Sequence, residues 1–415
     1  MPYKLIKGEF HIHYPDIPRS GPEPDGDTLK FHPDNPGLVE SLQQAGRGPD
    51  FNRRGMVNLR FEGIDALETH FNESHQNLEW ANAARDAVLE ACGFGAVTFF
   101  PDLPNKVASV EHHPRRGYIL AGGLDTFGRI ISFVFAGDTY LVDGAEIWAS
   151  EETIRTSINM KLLQEGLAYP AFYTSLPCEL RDVLAIATVE SRNNLEQMWA
   201  DAIPVDQNVL IPDMETLESL TLWPKLFRRL SSYFSAGYQN LDNFDAWLRA
   251  DPINRDDRLI LPDRELGNMH DIVVVEGNHL HMRYQPEELV ILPDDAVIVL
   301  PCPKKPGIER QAIRIIATLA NPIGAEHDRE NVTLLNASAS DIDLTGWVIR
   351  DKANGKQLLQ GILEAGFTRH VVLTNSVRLN NDGDTISLCN AEEALIHQVS
   401  YTRKQAQEEG WTIVF

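Results

Sequence analysis

One short stretch, residues 57–68, constrains the fold of this chain most strongly. Its sequence is VNLRFEGIDALE, and apolar and polar residues alternate through its first six positions, the period of a half-buried strand. Gly63 interrupts the alternation, as a bulge or a close backbone approach would. Arg60, Asp65 and Glu68 therefore come to one end of a strand. Taken alone, the stretch favours a polar strand face with a solvated turn over a site for an anion and a metal.

The length and composition of the chain predict a folded protein with more than one domain. At 415 residues it exceeds an ordinary single domain, so two or three are expected. It is 43% hydrophobic and 23% charged, which is typical of a globular protein that buries sizeable cores. A net charge of -23 argues against a protein that holds nucleic acid on a diffuse basic surface. It permits a local site for one or two phosphates, or a metal that supplies positive charge.

The cysteines and the N-terminal sequence bear on the cellular compartment. Cys92, Cys178, Cys302 and Cys389 are scattered and form no C-x-x-C pair, so we expect buried thiols rather than a zinc site or a disulfide framework. The N-terminus has no apolar segment of a signal peptide, and no apolar run approaches membrane-spanning length. These features predict a chain without a membrane span and with a cytoplasmic location.

Residues 1–200 predict a small barrel packed with helices. The dipeptide Asp25-Gly26 predicts a tight hairpin turn, in which the glycine supplies a positive φ. Strands are expected at 3–14, 57–62, 96–100 and 130–135, helices at 78–92, 158–168 and 179–199, and loops at 32–55 and 101–117. This order of strands and helices favours an OB-type β-barrel.

Four ordered motifs in residues 8–200 resemble the staphylococcal nuclease (thermonuclease) family. They are Asp25-Gly26-Asp27-Thr28, then Arg60 with Asp65 and Glu68, then Asp125-x-x-Gly128-Arg129, then Asn159 ahead of Leu162-x-x-Glu165-Gly166-Leu167-Ala168. Each motif is weak by itself, and their order makes the set specific. The resemblance implies a calcium-dependent phosphodiesterase on an OB-fold barrel, with DNA or RNA as its substrate.

The resemblance also implies a calcium site and a general base. Asp27 and Asp65 would bind Ca²⁺ through their carboxylates, and Ala66 would bind it through its backbone carbonyl. Calcium prefers oxygen ligands of this kind. Glu68 would accept a proton from the attacking water. Ala66-Leu67 stands where the family has Thr-Pro, so this loop lacks the stiffening of a proline.

The phosphate would be bound by two arginines. The resemblance assigns this role to Arg60 and Arg129, and a guanidinium matches the geometry of phosphate oxygens better than an ammonium does. Charges held in place before the reaction are usually the largest catalytic contribution. The two tyrosines with which the family holds the nucleotide fall near Phe172 and Thr174, so Tyr173 is the candidate substitute.

Two arginine pairs, Arg53-Arg54 and Arg115-Arg116, lie in the expected loops. They would either extend a track for phosphates or form a solvated face. Residues 1–200 contain 17 basic and 28 acidic residues, a balance that lowers the expected affinity for long nucleic acids.

Residues 201–306 predict a helical and mixed linker region. Helices are expected at 214–234 and 241–249, and a hairpin at 272–275 and 279–283. The apolar helices would pack in a core or form a homodimer that controls access to the site. His270, His279 and His281 are interpreted as ordinary histidines, because no carboxylate or cysteine spacing completes a metal site.

Residues 307–415 predict a β-sandwich. Strands are expected at 313–318, 332–335, 346–350, 370–373, 385–388 and 396–401, with turns between them at regular spacing. The segments NVTLLN (331–336), DLTGWVIRD (343–351) and NDGDTISL (381–388) resemble the lamin-tail domain, an immunoglobulin-like module. Such a module binds partners, and its fold alone does not name the partner. The tetrapeptide at 382–385 repeats that at 25–28 but is interpreted only as a hairpin turn.

The expected fold class is multi-domain and mainly β with α: an OB-fold β-barrel, a helical or mixed middle region and an immunoglobulin-like β-sandwich. Two functional hypotheses follow. The first is a calcium-dependent nuclease whose C-terminal module binds or assembles with an unknown partner. The alternative is a catalytically silent barrel that serves as a scaffold for binding nucleic acid or protein.

Overall fold

The computed structural model describes residues 2–293, 313–324, 329–338, 340–353, 355–374, 376–391 and 394–415. The chain divides into two compact units, Met1–Pro301 and Cys302–Phe415. The barrel and the middle region, which the sequence divides at residue 200, both lie in the first unit. None of the described helices is both long and apolar enough to span a membrane.

The first 200 residues form strands with helices packed around them. The strands are β1 (Tyr3–His11), β2 (Lys30–Pro33), β3 (Val57–Phe61), β4 (Gly63–Asp65), β5 (Val97–Phe100), β6 (Leu103–Val110), β7 (Arg115–Leu124), β8 (Ile130–Ala136), β9 (Glu146–Ile147) and β10 (Tyr169–Ala171). The helices are α1 (Pro36–Glu40), α2 (Leu78–Ala91), α3 (Glu151–Ile154), α4 (Ile158–Gln164) and α5 (Cys178–Asn193).

Among the described residues, five strands close a barrel in the order β1-β2-β3-β8-β7, and β7 pairs back with β1. All pairings in the ring are antiparallel except β3 with β8, where Leu59 lies beside Ile130. This is the OB-type barrel that the sequence predicts. Its interior is filled by large apolar side chains, including Phe10, Phe31 and Phe133, which are fully buried.

The middle region adds helices and short hairpins to the same unit. Its elements are β11 (Val209–Leu210), α6 (Met214–Ser219), α7 (Pro224–Ser235), α8 (Phe244–Arg249), β12 (Arg258–Ile260), β13 (Leu266–Asn268), α9 (Met269–Ile272), β14 (Val273–Glu276), β15 (His279–Met282) and β16 (Val290–Leu292). Its apolar side chains share a second core with Leu67, Ala81 and Tyr169 from the barrel side. The apolar faces of the expected helices are therefore buried within this chain.

The second unit is the expected immunoglobulin-like sandwich. Its strands are β17 (Ile313–Leu319), β18 (Asn331–Asn336), β19 (Ile342–Asp343), β20 (Val348–Arg350), β21 (Lys356–Leu358), β22 (Ile362–Leu363), β23 (Thr368–Val372), β24 (Gly383–Cys389), β25 (Leu395–Thr402) and β26 (Ile413–Val414). In the described part of this unit, two four-stranded sheets have the orders β23-β18-β17-β26 and β21-β20-β24-β25. Inward side chains such as Ile315, Leu334 and Ile386 form the core between them. Gly383 has a φ of +112°, in keeping with the turn expected there.

Several local expectations are wrong. Residues 101–117 are not a loop, because β6 forms an irregular hairpin with β5 and β7 begins at Arg115. The hairpin is only partly buried, and its apolar alternation is correspondingly weak. Residues 32–55 contain the short helix α1, whose first turn is capped by Asn35. The helix expected at 179–199 ends at Asn193.

The cysteines divide into two groups. Cys92 and Cys389 are buried thiols, as expected. Cys178, at the first turn of α5, is disulfide-bonded, which corrects the expectation of a free thiol. Scattered spacing could not reveal this bond, because a disulfide needs only proximity in the folded chain. Cys302 lies outside the described residues.

Candidate functional site

The site lies where β3 and β4 leave the barrel. Gly63 separates the two strands with a φ of +78°, and a Cβ there would lie 2.6 Å from a methyl carbon of Leu184. The expected interruption at glycine is therefore confirmed. Strand β4 pairs with β10, which places Asp65 beside Tyr169. Asp65 is buried at this position, with 7% of its surface exposed.

Asp27 reaches the same place from the segment that precedes β2. Its Oδ2 accepts a hydrogen bond from the Ala66 backbone N–H at 3.4 Å, and its Oδ1 accepts one from the Thr28 hydroxyl at 3.0 Å. The chain does bend here, with the Asp25 N–H donating to the Thr28 carbonyl at 3.1 Å, but the positive φ expected at Gly26 is wrong. A Cβ on Gly26 would instead lie 2.5 Å from the Cβ of Ala66. Glycine thus allows Asp27 to approach the loop that carries Asp65.

Glu68 is positioned by a hydrogen-bonded loop. The side chain of Gln76 is fully buried, and its Oε1 accepts a hydrogen bond from the Glu68 N–H at 3.2 Å. Its Nε2 donates to the carbonyl of Leu222 at 2.9 Å. One amide therefore joins the Glu68 loop to the segment immediately before α7.

An arginine from the middle region, Arg228, lies between the carboxylates of Asp65 and Glu68, which we call the carboxylate cluster. Arg228 of α7 donates through Nη1 and Nη2 to the two carboxylate oxygens of Asp65, at 3.1 and 2.7 Å. Its Nη1 also pairs with Glu68 Oε1. The side chains of Arg228, Asp65 and Glu68 are only 22%, 10% and 16% exposed. This is a largely buried ion-pair network, and the sequence did not indicate it.

Burial and mutual repulsion raise the pKa values of three carboxyl groups, those of Asp25, Asp27 and Glu68. Burial, opposed by the charge of Arg228 and assisted by the neighbouring carboxylates, raises the pKa of Glu68 to about 7. Burial and the charge of Asp27 raise the pKa of Asp25 to about 7. Burial and Asp65 likewise raise the pKa of Asp27, although Arg228 and Arg129 act in the other direction. Asp25, which the sequence indicates only as part of a turn, therefore belongs to the same electrostatic cluster.

Arg60 lies on the polar side of β3, against an aromatic ring. Its guanidinium carbon is 4.3 Å from the centroid of Tyr173, and the Nζ of Lys225 is 5.8 Å from the same centroid. Burial acts to raise the pKa of Tyr173, but the positive charges of Arg60 and Lys225 lower it overall. The structure thus places Tyr173 beside Arg60.

Arg129 is held by the turn that precedes β8. Asp125 Oδ1 accepts backbone hydrogen bonds from Phe127 and Arg129 at 3.0 and 2.9 Å, and its Oδ2 accepts one from the Arg129 Nε at 2.7 Å. Strand β8 begins at the next residue and pairs with β3, so Arg129 and Arg60 come from neighbouring segments. Asp125 therefore fixes the direction of the Arg129 guanidinium, and the charge of Arg129 acts on Asp27.

The residues as arranged do not fit Ca²⁺. Asp27, Asp65 and the Ala66 carbonyl offer the oxygen donors that calcium prefers. Both carboxylate oxygens of Asp65, however, bind Arg228. Among the described residues, no group of three or more His, Cys, Asp or Glu side chains is arranged to hold a metal ion. No catalytic step through calcium can be drawn from this arrangement.

One arginine of each expected pair and two of the three histidines of the middle region have partners within the protein. Arg54 pairs with Asp16 at 2.6 Å, and Arg116 makes two hydrogen bonds of 2.8 Å to Asp34. His270 Nδ1 lies 2.5 Å from the buried Asp256, so this histidine has an ordinary carboxylate partner. His281 lies 2.7 Å from the side-chain oxygen of Asn208.

Comparison with known families identifies the C-terminal unit. Residues 309–403 match the family model of the lamin tail domain. This confirms the lamin-tail prediction for the sandwich. No nuclease family model matches the barrel. No curated protein matches the chain.

Proposed function

We propose that the barrel binds and hydrolyses phosphodiester bonds of nucleic acid, DNA or RNA. The observation that supports this function is that Arg60, on β3, and Arg129, directly before the neighbouring strand β8, both lie near a cluster of buried carboxylates. Two guanidinium groups can bind the two non-bridging oxygens of a phosphodiester. Charges fixed in a largely buried site stabilise developing negative charge more than mobile charges in water do.

Glu68 is the proposed general base. Its pKa of about 7 is near the value at which a base is most effective at neutral pH. Tyr173 would contact the substrate next to the phosphate bound by Arg60. Ca²⁺ remains the proposed cofactor, with Asp27, Asp65 and Ala66 as its ligands, only for a form of the site in which Arg228 has released Asp65.

Cleavage of labelled single-stranded DNA and RNA by the full-length protein tests this function. The assay is run with millimolar Ca²⁺ and with a chelator, for the wild type and for Glu68→Gln and Arg129→Ala. Loss of the general base should slow cleavage about 10²- to 10⁴-fold. Loss of a phosphate-binding arginine should slow it by a comparable factor. Wild-type cleavage that neither substitution reduces would contradict the proposed roles.

The second candidate function is a silent scaffold. The pairing of Arg228 with both Asp65 and Glu68 favours it, because these two side chains are the proposed ligand and base. A scaffold would bind nucleic acid equally well as the wild type, Glu68→Gln and Arg129→Ala proteins, and none of them would cleave it. A fluorescence-anisotropy titration beside the cleavage assay separates the two functions.

The remaining proposals concern partners and location. We propose that the sandwich binds a protein, because its family match is to a lamin tail domain. A homodimer through residues 201–306 would need a surface other than the apolar faces that the second core buries; sedimentation at several concentrations tests it. A cytoplasmic location remains a prediction. Cell fractionation tests this location.

A further inference from the structure

Arg228 occupies the carboxylate cluster in the manner of a bound cation. Its two terminal nitrogens take both oxygens of Asp65 and one oxygen of Glu68. Burial acts to lower the pKa of Arg228, but these two carboxylates raise it well above its ordinary value. The guanidinium is therefore a permanent charge that neutralises part of the cluster.

The rest of α7 fixes Arg228 in this place. The preceding and following basic residues of the helix, Lys225 and Arg229, both pair with Asp257, with N–O distances of 2.8 and 2.7 Å. The hydroxyl of Ser231 lies 2.7 Å from that of Ser74, in the loop that follows Glu68. Helix α7 is thus attached both to its own region and to the loop of the site. The Arg228 side chain therefore extends from a helix that other contacts hold in place.

We infer that Arg228 is an internal cation that competes with a divalent cation for Asp65 and Glu68 and so keeps the site closed. This inference rests on the proposed function, since it concerns the regulation of the same site. A guanidinium and a divalent ion repel each other and need the same Asp65 oxygens, so they cannot be bound together. If about 1% of the molecules have Arg228 withdrawn, the apparent affinity for the ion is about 100-fold weaker than the intrinsic affinity.

Calcium binding, measured without any substrate, tests this competition. Full-length wild type, Arg228→Gln and Arg229→Gln are titrated with Ca²⁺ in an isothermal calorimeter. Arg228→Gln should bind one Ca²⁺ at least tenfold more tightly than the wild type. Arg229→Gln removes an equal charge from the same helix but leaves Asp257 paired with Lys225, and it should bind Ca²⁺ as the wild type does.

A second substitution locates the bound ion. Adding Asp65→Asn to Arg228→Gln should abolish the gained affinity. Equal affinity of wild type and Arg228→Gln, whether tight or undetectable, would overturn the inference. A gain that survives Asp65→Asn, or one that Arg229→Gln reproduces, would overturn it as well.

Removal of Arg228 leaves two largely buried carboxylates without their partner, which can prevent folding. Arg228→Lys guards against this outcome, because lysine keeps the charge but cannot bind Asp65 through two parallel hydrogen bonds. A folded Arg228→Lys protein should bind Ca²⁺ more tightly than the wild type, and an unchanged affinity would overturn the inference. Because the readout is binding, tight calcium binding without cleavage would refute the proposed nuclease function and leave the competition intact.

Discussion

At the scale of single residues, the site depends on positions whose side chains are small or absent. Gly26 faces the side chains of Ala66 and Ala84, and a Cβ there would lie 2.5 and 2.9 Å from their Cβ atoms. The sequence has alanine where the resembled family has threonine, and it has a glycine directly before Asp27. Asp27 can therefore lie close to the Ala66 N–H only because Gly26, Ala66 and Ala84 are all small.

The substitution Gly26→Ala should destabilise the barrel. An added methyl group would force the loop of Asp65 and the helix α2 apart, and overpacking of this kind costs about 1–3 kcal/mol. Gly48→Ala is the matched control, because its Cβ would meet its nearest neighbour only at 3.9 Å and its backbone needs no positive φ. Urea unfolding of both variants should show a lowered free energy of unfolding for Gly26→Ala and a change within about 0.5 kcal/mol for Gly48→Ala. Equal stabilities would contradict the importance of this contact.

The motif residues illustrate what could be predicted at this scale. The sequence indicated Arg60, Asp65 and Glu68 because regular alternation in a strand fixes the side on which each residue lies. It did not indicate Arg228, which is 160 positions beyond Glu68. The spacing of Lys225, Arg228 and Arg229 does put three basic residues on one side of a helix. Which carboxylates these basic residues contact depends on how α7 packs against the rest of the protein, and no local sequence pattern encodes that packing.

At the scale of elements, α7 has two contacting surfaces of different character. Leu226, Phe227 and Leu230 are buried in the second core, as their helical spacing predicts. Its basic side chains instead pair with carboxylates, of which Asp257 belongs to the same region and Asp65 to the barrel. The periodicity of the apolar residues could be predicted from sequence, whereas the direction of the basic face could not.

The substitution Asp257→Asn should weaken the docking of α7. Asp257 pairs with Lys225 and Arg229, and its side chain is 11% exposed. Burial acts to raise its pKa, but these two cations lower it overall. Breaking one partner of a buried ion pair costs about 3–5 kcal/mol, and we expect faster amide hydrogen exchange along α7.

Acidification should reproduce part of this loss in the wild type. A carboxyl group whose pKa is lower in the folded state stabilises the fold above its unfolded pKa, and this stabilisation is lost as the pH falls toward the folded value. The advantage of the wild type over Asp257→Asn should therefore begin to shrink below about pH 4 and continue to shrink as the pH falls toward the lower folded pKa. Asp245→Asn is the control, since its pair with Arg249 is 54% exposed on both sides and should matter by less than about 1 kcal/mol. A pH-independent difference between the wild type and Asp257→Asn would contradict the ionic role of Asp257.

The hairpin of β5 and β6 shows why some elements escape prediction. Most of its residues are only partly buried, and its register shifts twice between Thr98 and Phe100. A strand without a fully buried face lacks clean alternation, and a proline such as Pro104 is uncommon inside a paired strand. By contrast, β1, β3 and β8 of the barrel and β5 of this hairpin were expected from the sequence, whereas the barrel strand β7 was not.

At the scale of the whole molecule, the two units differ in how well sequence describes them. The sandwich carries its own core and matches a family model over most of its length. The barrel and the middle region share one compact unit. Tyr173 and Thr174 lie beside Ile291 through a backbone bridge and a hydrogen bond of 3.2 Å. The boundary near residue 200 follows from where the resemblance to the nuclease family ends, but the extent of a motif match does not report which surfaces later pack together.

This shared core predicts that two fragments of the chain, residues 1–200 and residues 1–306, differ in whether they fold cooperatively. A fragment of residues 1–200 would expose Leu67, Tyr169, Ala171 and Trp199, which the second core buries. It would also leave Gln76 without the Leu222 carbonyl that its amide binds. Large exposed apolar patches cause association, so this fragment should bind a hydrophobic dye and unfold without a cooperative thermal transition. The fragment of residues 1–306 keeps both cores and should melt cooperatively. If the fragment of residues 1–200 instead melts cooperatively and binds no dye, the barrel folds without the middle region. Helix α7 would then not be required for the core of the barrel.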